Sequence, residues 1–283
     1  MGLERPLWWF WTRVHYWSLD VALGAVVMCL WLGEQVGVSP DPVDLGCLCL
    51  AVWSIYLADR LYDSSTMPYE PDNPRRNYYL KHRPWLWVAL LVGLLSCFTL
   101  AIGWMRLDTW LSATLALFVV VGYYLMVIIS RLFGMEFYSK EMLVALGYAV
   151  GLGVPIAAQL PNAFPAPLVL PSLVLGLLAW LNLNTIAWFE AAYVQNEPVA
   201  TVAKWLGLAG LKRLMWTLWL LCLGLCWSLA FWRLMAWPHA IGITIVLTLL
   251  AAIWVSHPFL AKNGLFRLST EALFILPLGW LNI

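Results

Sequence analysis

The chain has 283 residues, 63% of them hydrophobic and 11% charged, with a formal net charge of +1. A soluble domain carries about a quarter charged residues, so a water-soluble globular protein is excluded. The near-zero net charge also excludes the strong basic field by which a protein gathers nucleic acid.

In chain order, residues 1–17 come first, with Trp8, Trp9, Phe10 and Trp11 beside Arg5 and Arg13. They lack the apolar stretch and small-residue cleavage site of a signal peptide and read as an interfacial aromatic anchor. Nine apolar runs follow, near 19–36, 45–61, 85–105, 110–129, 142–160, 168–189, 215–232, 240–255 and 268–283, the last broken by Pro277. Their lengths scatter around the roughly 20 residues that cross a bilayer core, as tilt and mismatch allow. The expected fold is an all-α membrane protein, a nine-transmembrane-helix bundle forming a single polytopic domain over 1–283. The six cysteines all fall inside apolar runs without metal-site spacing, and read as reduced core residues.

With the N-terminus cytoplasmic, all but Arg106 and Arg233 of the 16 Lys and Arg residues fall on one side. The positive-inside rule assigns that side to the cytoplasm, and an even number of spans would break the pattern. The opposite loops are short and rich in Pro or polar residues. The cytoplasmic loops, 64–84, 130–141 and 190–213, are longer and hold most of the polar chemistry.

Four clusters there carry candidate chemistry. Asp59 and Asp63 end the second run four residues apart, so both carboxylates share a helix face with Cβ atoms roughly 6 Å apart. Such a pair suits Mg²⁺, which takes one or two carboxylates and completes its shell with phosphate and water; it is equally a solvated helix end paired to Arg60. Arg75, Arg76, Lys81 and Arg83 follow, and are either a diphosphate clamp or ordinary inside charge against anionic lipid. The third cluster runs from Tyr123-Tyr124 through Arg131 to Tyr138-Ser139-Lys140-Glu141, leading into Gly147 and Gly151, glycines that permit close helix approach. Either this is a functional step or a loop with a surface ion pair. In the fourth, Asn182, Asn184 and Glu190 lie near the end of the sixth run, with Gln195, Asn196 and Glu197 beyond. Polar groups at membrane depth face a cavity or a partner, or bond between helices. Glu271 is a similar case, with Arg267 four residues earlier as a possible partner.

Tyr138-Ser139-Lys140-Glu141 leading to Gly147 and Gly151, together with Asp59 and Asp63, resembles the UbiA superfamily of intramembrane prenyltransferases. Asp59 and Asp63 match the two aspartates that end its first Asn-x-x-x-Asp-x-x-x-Asp signature, and nine spans with a cytoplasmic N-terminus is also the family's plan. The resemblance implies a Mg²⁺-dependent transfer of an isoprenoid from its diphosphate to a lipophilic acceptor within the membrane. Asp59 and Asp63 would hold Mg²⁺ and, with Lys140, act catalytically; Arg75, Lys81, Arg131, Asn184 and Glu190 would bind substrate. A bacterial inner (plasma) membrane, with the active-site face cytoplasmic, is the expected location.

Two departures bear on activity. The opening Asn of the signature falls at Ile55, and the second signature, normally Asp-x-x-x-Asp, is absent: Val194 stands four residues after Glu190. Less charge is then available for a second metal, and a departing diphosphate loses part of its stabilisation. The alternative is therefore a non-catalytic UbiA-like protein that binds a lipid, quinone or pigment, or that scaffolds a membrane complex. A transporter is the third reading, although no inverted repeat or pair of broken helices is evident.

Overall fold

The structure, a computed structural model, describes residues 11–66, 74–133, 140–161, 165–193, 201–262 and 265–280. The regular elements among them are all helical: α1 (Leu19–Val36), α2 (Pro42–Thr66), α3 (Pro74–Trp104), α4 (Leu107–Phe133), α5 (Lys140–Ala157), α6 (Ala166–Tyr193), α7 (Thr201–Phe231), α8 (Trp237–Val255), α9 (His257–Lys262), α10 (Phe266–Ala272) and a 3-10 turn (Leu276–Trp280). Seven of these, α1, α2, α3, α5, α6, α7 and α8, are long and apolar enough to cross a membrane among the described residues. The protein is thus an all-α, multi-pass membrane protein. In α4 the apolar character runs over Leu107–Tyr123. The expected last run over 268–283 is not one continuous helix: α10 stops at Ala272 and the chain turns through Pro277.

Helix closes over part of what the sequence presents as loop. Arg75 to Pro84 belong to α3, 31 residues long with Pro84 inside it, and α7 begins at Thr201. Positive charge and interfacial aromatics do not oppose helix formation, so hydropathy marks where a span leaves the lipid and not where its helix ends. In α7 the helix bends at Gly207, whose φ of 64° and ψ of 172° lie in a region open to glycine. Trp205, Leu206 and Leu208 around the bend are exposed, as suits an elbow at the membrane interface.

The main core joins α1, α5, α6, α7, α8 and α10, with Met28, Leu32, Leu152, Leu178, Phe189, Cys222, Leu247 and Phe266 among its buried side chains. Consecutive helices pack as neighbours except α3 and α4, α1 also lies against α5 and α6, and α10 lies against α1 and α6. The close approach expected of Gly147 and Gly151 is made elsewhere: Gly176 of α6 meets Ala145 and Ala149 of α5, whereas Gly151 faces open space. Cysteines are free, and Cys29, Cys47, Cys222 and Cys226 are buried, as a reduced core requires. Leu91, Val92, Leu95, Phe98 and Ile102 of α3 are exposed; lipid, being as apolar as leucine, solvates such a face.

A second, smaller cluster holds Leu57, Leu61, Tyr79, Leu86 and Leu90, with Trp17, Trp53 and Tyr78 against it. It fixes the segment before α1. Trp53 Nε1 donates to the Trp17 carbonyl at 2.7 Å, Trp17 Nε1 to the Tyr78 hydroxyl at 3.0 Å, and the Tyr79 hydroxyl to the Tyr16 carbonyl at 2.6 Å. The Trp53 ring reaches this position because Gly93 has no side chain; a Cβ there would lie 2.9 Å from Trp53 Cε3. Ser18, buried and at φ 52°, turns the chain from residues 11–16 into α1, a left-handed conformation uncommon outside glycine. These contacts hold His15 over the start of α1.

Candidate functional site

Charged side chains from sequence-distant helices converge at one end of the bundle. Asp59, near the end of α2, accepts from Lys140 Nζ, the first residue of α5, at 3.1 Å. The pair is part-exposed, with side chains at 28% and 40%. Ion pairs this wet contribute about 0–1 kcal/mol to stability, so folding alone does not account for it. Arg60 and Arg75 also act electrostatically on Asp59. The result is one carboxylate within a field of three cations, where a phosphate group would meet charge-assisted donors.

The α2 helix runs unbroken through Asp63, which places Asp63 one turn beyond Asp59; its side chain lies outside the described residues, as does that of Arg131 on α4. Arg75 is half-buried on α3, while Lys81 is exposed. Hard carboxylate oxygens one helical turn apart are a fitting donor set for Mg²⁺, and the Lys140 ammonium engages one Asp59 oxygen.

In α6, Asn184 is fully buried and its Nδ2 donates to the Trp180 carbonyl at 2.7 Å. Its Oδ1, and that of Asn182, have no hydrogen-bond partner among the described residues. An unsatisfied buried acceptor costs about 1–3 kcal/mol, so each of the two, which point to different sides of α6, calls for a donor. Glu190, two turns on, is ion-paired with Arg267 of α10. Gln195, Asn196 and Glu197 lie outside the described residues.

Arg267 still acts electrostatically on Glu271, the partner expected from the sequence, while its ion pair is with Glu190. α10 has two turns; Arg267 on the first reaches α6, and Glu271 on the second reaches His15 before α1. Glu271 Oε2 lies 3.0 Å from His15 Nδ1, and Asp20 Oδ2 lies 2.8 Å from the same atom. Asp20 is 1% exposed and Glu271 7%. Burial alone would push the His15 imidazole down, but Glu271 and Asp20 outweigh it and hold the group above the ordinary histidine range. Tyr56, on the α2 turn before Asp59, feels Glu271, Arg60, Asp59 and Asp20, so the two charged groups adjoin. Sequence reasoning missed His15 and Asp20. The available signal was Asp20, an acidic residue in the first turn of a span, a costly placement without a partner.

Comparison with protein-family models, with curated proteins and with solved structures finds no match to this chain. The functional reading therefore rests on the residues and their arrangement.

Proposed function

We propose that this chain is a divergent UbiA-type prenyltransferase, a nine-span bundle with its N-terminus and active-site face in the cytoplasm of a bacterial inner membrane. It binds an isoprenoid diphosphate and a lipophilic acceptor within the bilayer. The observation that supports this reading is the Lys140–Asp59 pair, with Arg60 and Arg75 acting on it: two residues 81 apart in sequence, each in a motif that resembles the family's, meet at the same end of the bundle.

Mg²⁺, when bound by Asp59 and Asp63, neutralises charge developing on a departing diphosphate. Lys140 and Arg75 supply the donors that fix that diphosphate, Lys140 exchanging its Asp59 contact for a phosphate oxygen. Asn184 and Glu190 would stand in for the missing second Asp-x-x-x-Asp signature, with Arg267 offsetting the charge of Glu190. Apolar walls hold the prenyl chain, and aromatic π faces shield an allylic cation.

A second reading draws on the same pairs. With Lys140 on Asp59 and Arg267 on Glu190, both carboxylates already have counter-charges, as suits a UbiA-like protein that binds a lipid, quinone or pigment without turning it over, or holds a membrane complex together. Substitution separates the two. Asp59→Ala and Asp63→Ala should each abolish Mg²⁺-dependent binding of a prenyl diphosphate, read by a radiolabelled ligand on protein with wild-type thermal stability. Binding unchanged in both variants would remove the metal-diphosphate site and leave the second reading.

A further inference from the structure

We propose that His15, Asp20 and Glu271 form a binding site for one divalent transition-metal ion of the borderline class, such as Zn²⁺ or Fe²⁺, that ties the segment before α1 to α10. The proposal does not rest on the prenyltransferase reading, whose Mg²⁺ ligands are other residues.

The geometry carries it. One ligand atom from each side chain converges, with Nδ1 to the two carboxylate oxygens at 2.8 and 3.0 Å and all three atoms within 4.8 Å of one another. Metal bonds to His nitrogen and carboxylate oxygen are about 2.0–2.2 Å, which puts adjacent donors around an octahedral ion about 3 Å apart. The two separations measured from Nδ1 are thus those of adjacent ligands on such an ion. A single imidazole N–H, by contrast, aims well at one acceptor, and here two carboxylate oxygens face the same nitrogen.

The surroundings favour an ion. Two nearly inaccessible carboxylates stand together at a site where burying charge is expensive unless it is paired or bound to metal. Arg60 and Arg267 act on Glu271, while the charges acting on Asp20 are His15 and Glu271. The second oxygen of Asp20 is already held, Oδ1 accepting the Val21 N–H at 3.0 Å, which leaves Oδ2 turned to the centre. The Trp17–Trp53–Tyr78 and Tyr16–Tyr79 hydrogen bonds fix the segment that presents His15. Supporting contacts of this kind orient metal ligands. Imidazole with carboxylate suits zinc and ferrous ions, whereas Mg²⁺ keeps to oxygen.

Full-length protein in detergent, stripped with a chelator and desalted, is titrated with Co²⁺ as a spectroscopic stand-in, then with Zn²⁺, Mn²⁺ and Mg²⁺ as competitors. The expected result is visible d–d bands saturating at about one equivalent per chain, displaced by Zn²⁺ and untouched by millimolar Mg²⁺. Asp20→Asn and Glu271→Gln, close in volume, should each weaken Co²⁺ binding by more than about a hundredfold, beyond the loss typical of a supporting residue. Bands absent from wild type, or unchanged in both variants, would overturn the site. If the variants fail to fold, pulsed EPR of Mn²⁺ on wild type decides: imidazole ¹⁴N coupling supports the site and its absence overturns it.

Discussion

The Asp59–Lys140 pair and the His15–Asp20–Glu271 group lie at the same end of the bundle, within electrostatic reach of Tyr56, yet they are built differently. Asp59 and Lys140 are part-exposed, and their contact is worth little to folding. Asp20 and Glu271 are almost wholly shut away, where an unmatched charge is severe. A cheap, wet contact can open to admit a ligand; a dry one ties elements together. The first is thus suited to exchange substrate and the second to fix the frame around it.

Breaking the dry group should have the largest effect on stability. His15→Ala leaves the buried Asp20 and Glu271 carboxylates without the imidazole between them, and a buried pair broken on one side costs about 3–5 kcal/mol; thermal unfolding in detergent would show it, and a midpoint within a degree of wild type would contradict it. Gly93→Ala tests the frame from farther off. The new methyl meets the Trp53 ring that holds Trp17, and overpacking of this kind costs about 1–3 kcal/mol. Lys140→Met should change stability by less than about 1 kcal/mol while weakening prenyl diphosphate binding about tenfold or more, as loss of a charged donor worth about 1.5–3 kcal/mol implies. A variant equally impaired in both would erase the contrast between the two groups.

The smallest effect is one of pH. His15 is raised in the folded protein by Glu271 and Asp20, so its contribution to stability is fully present below its ordinary value of 6.5 and is lost as pH rises through the folded value. In chelator-stripped wild type the unfolding midpoint should fall across that window. The slope should vanish in His15→Gln.

The sequence made the wet group legible and, of the dry one, only Glu271. Asp59, Lys140, Asn184 and Glu190 sit in recognisable spacing at the ends of apolar runs, where hydropathy and charge direct attention. The His15–Glu271 contact spans nearly the whole chain and depends on the Ser18 turn and on a Trp53 ring admitted by Gly93, none of which has a periodic signature. Seven membrane-crossing helices were readable from apolar length alone. Helix ends were not, because α3 and α7 continue past the lipid boundary through charged residues. The Arg267–Glu271 expectation followed helical spacing and survives as an electrostatic influence, whereas the ion pair of Arg267 is with Glu190 across the α6–α10 contact.

The most direct test of the central claim is diphosphate release by purified wild-type protein from a panel of prenyl diphosphates, first with Mg²⁺ and then after chelation, with a lipophilic acceptor present. Release that requires Mg²⁺ and disappears in Asp59→Ala is the predicted result. No release from any member of the panel, by protein that is folded and metal-replete, would contradict it.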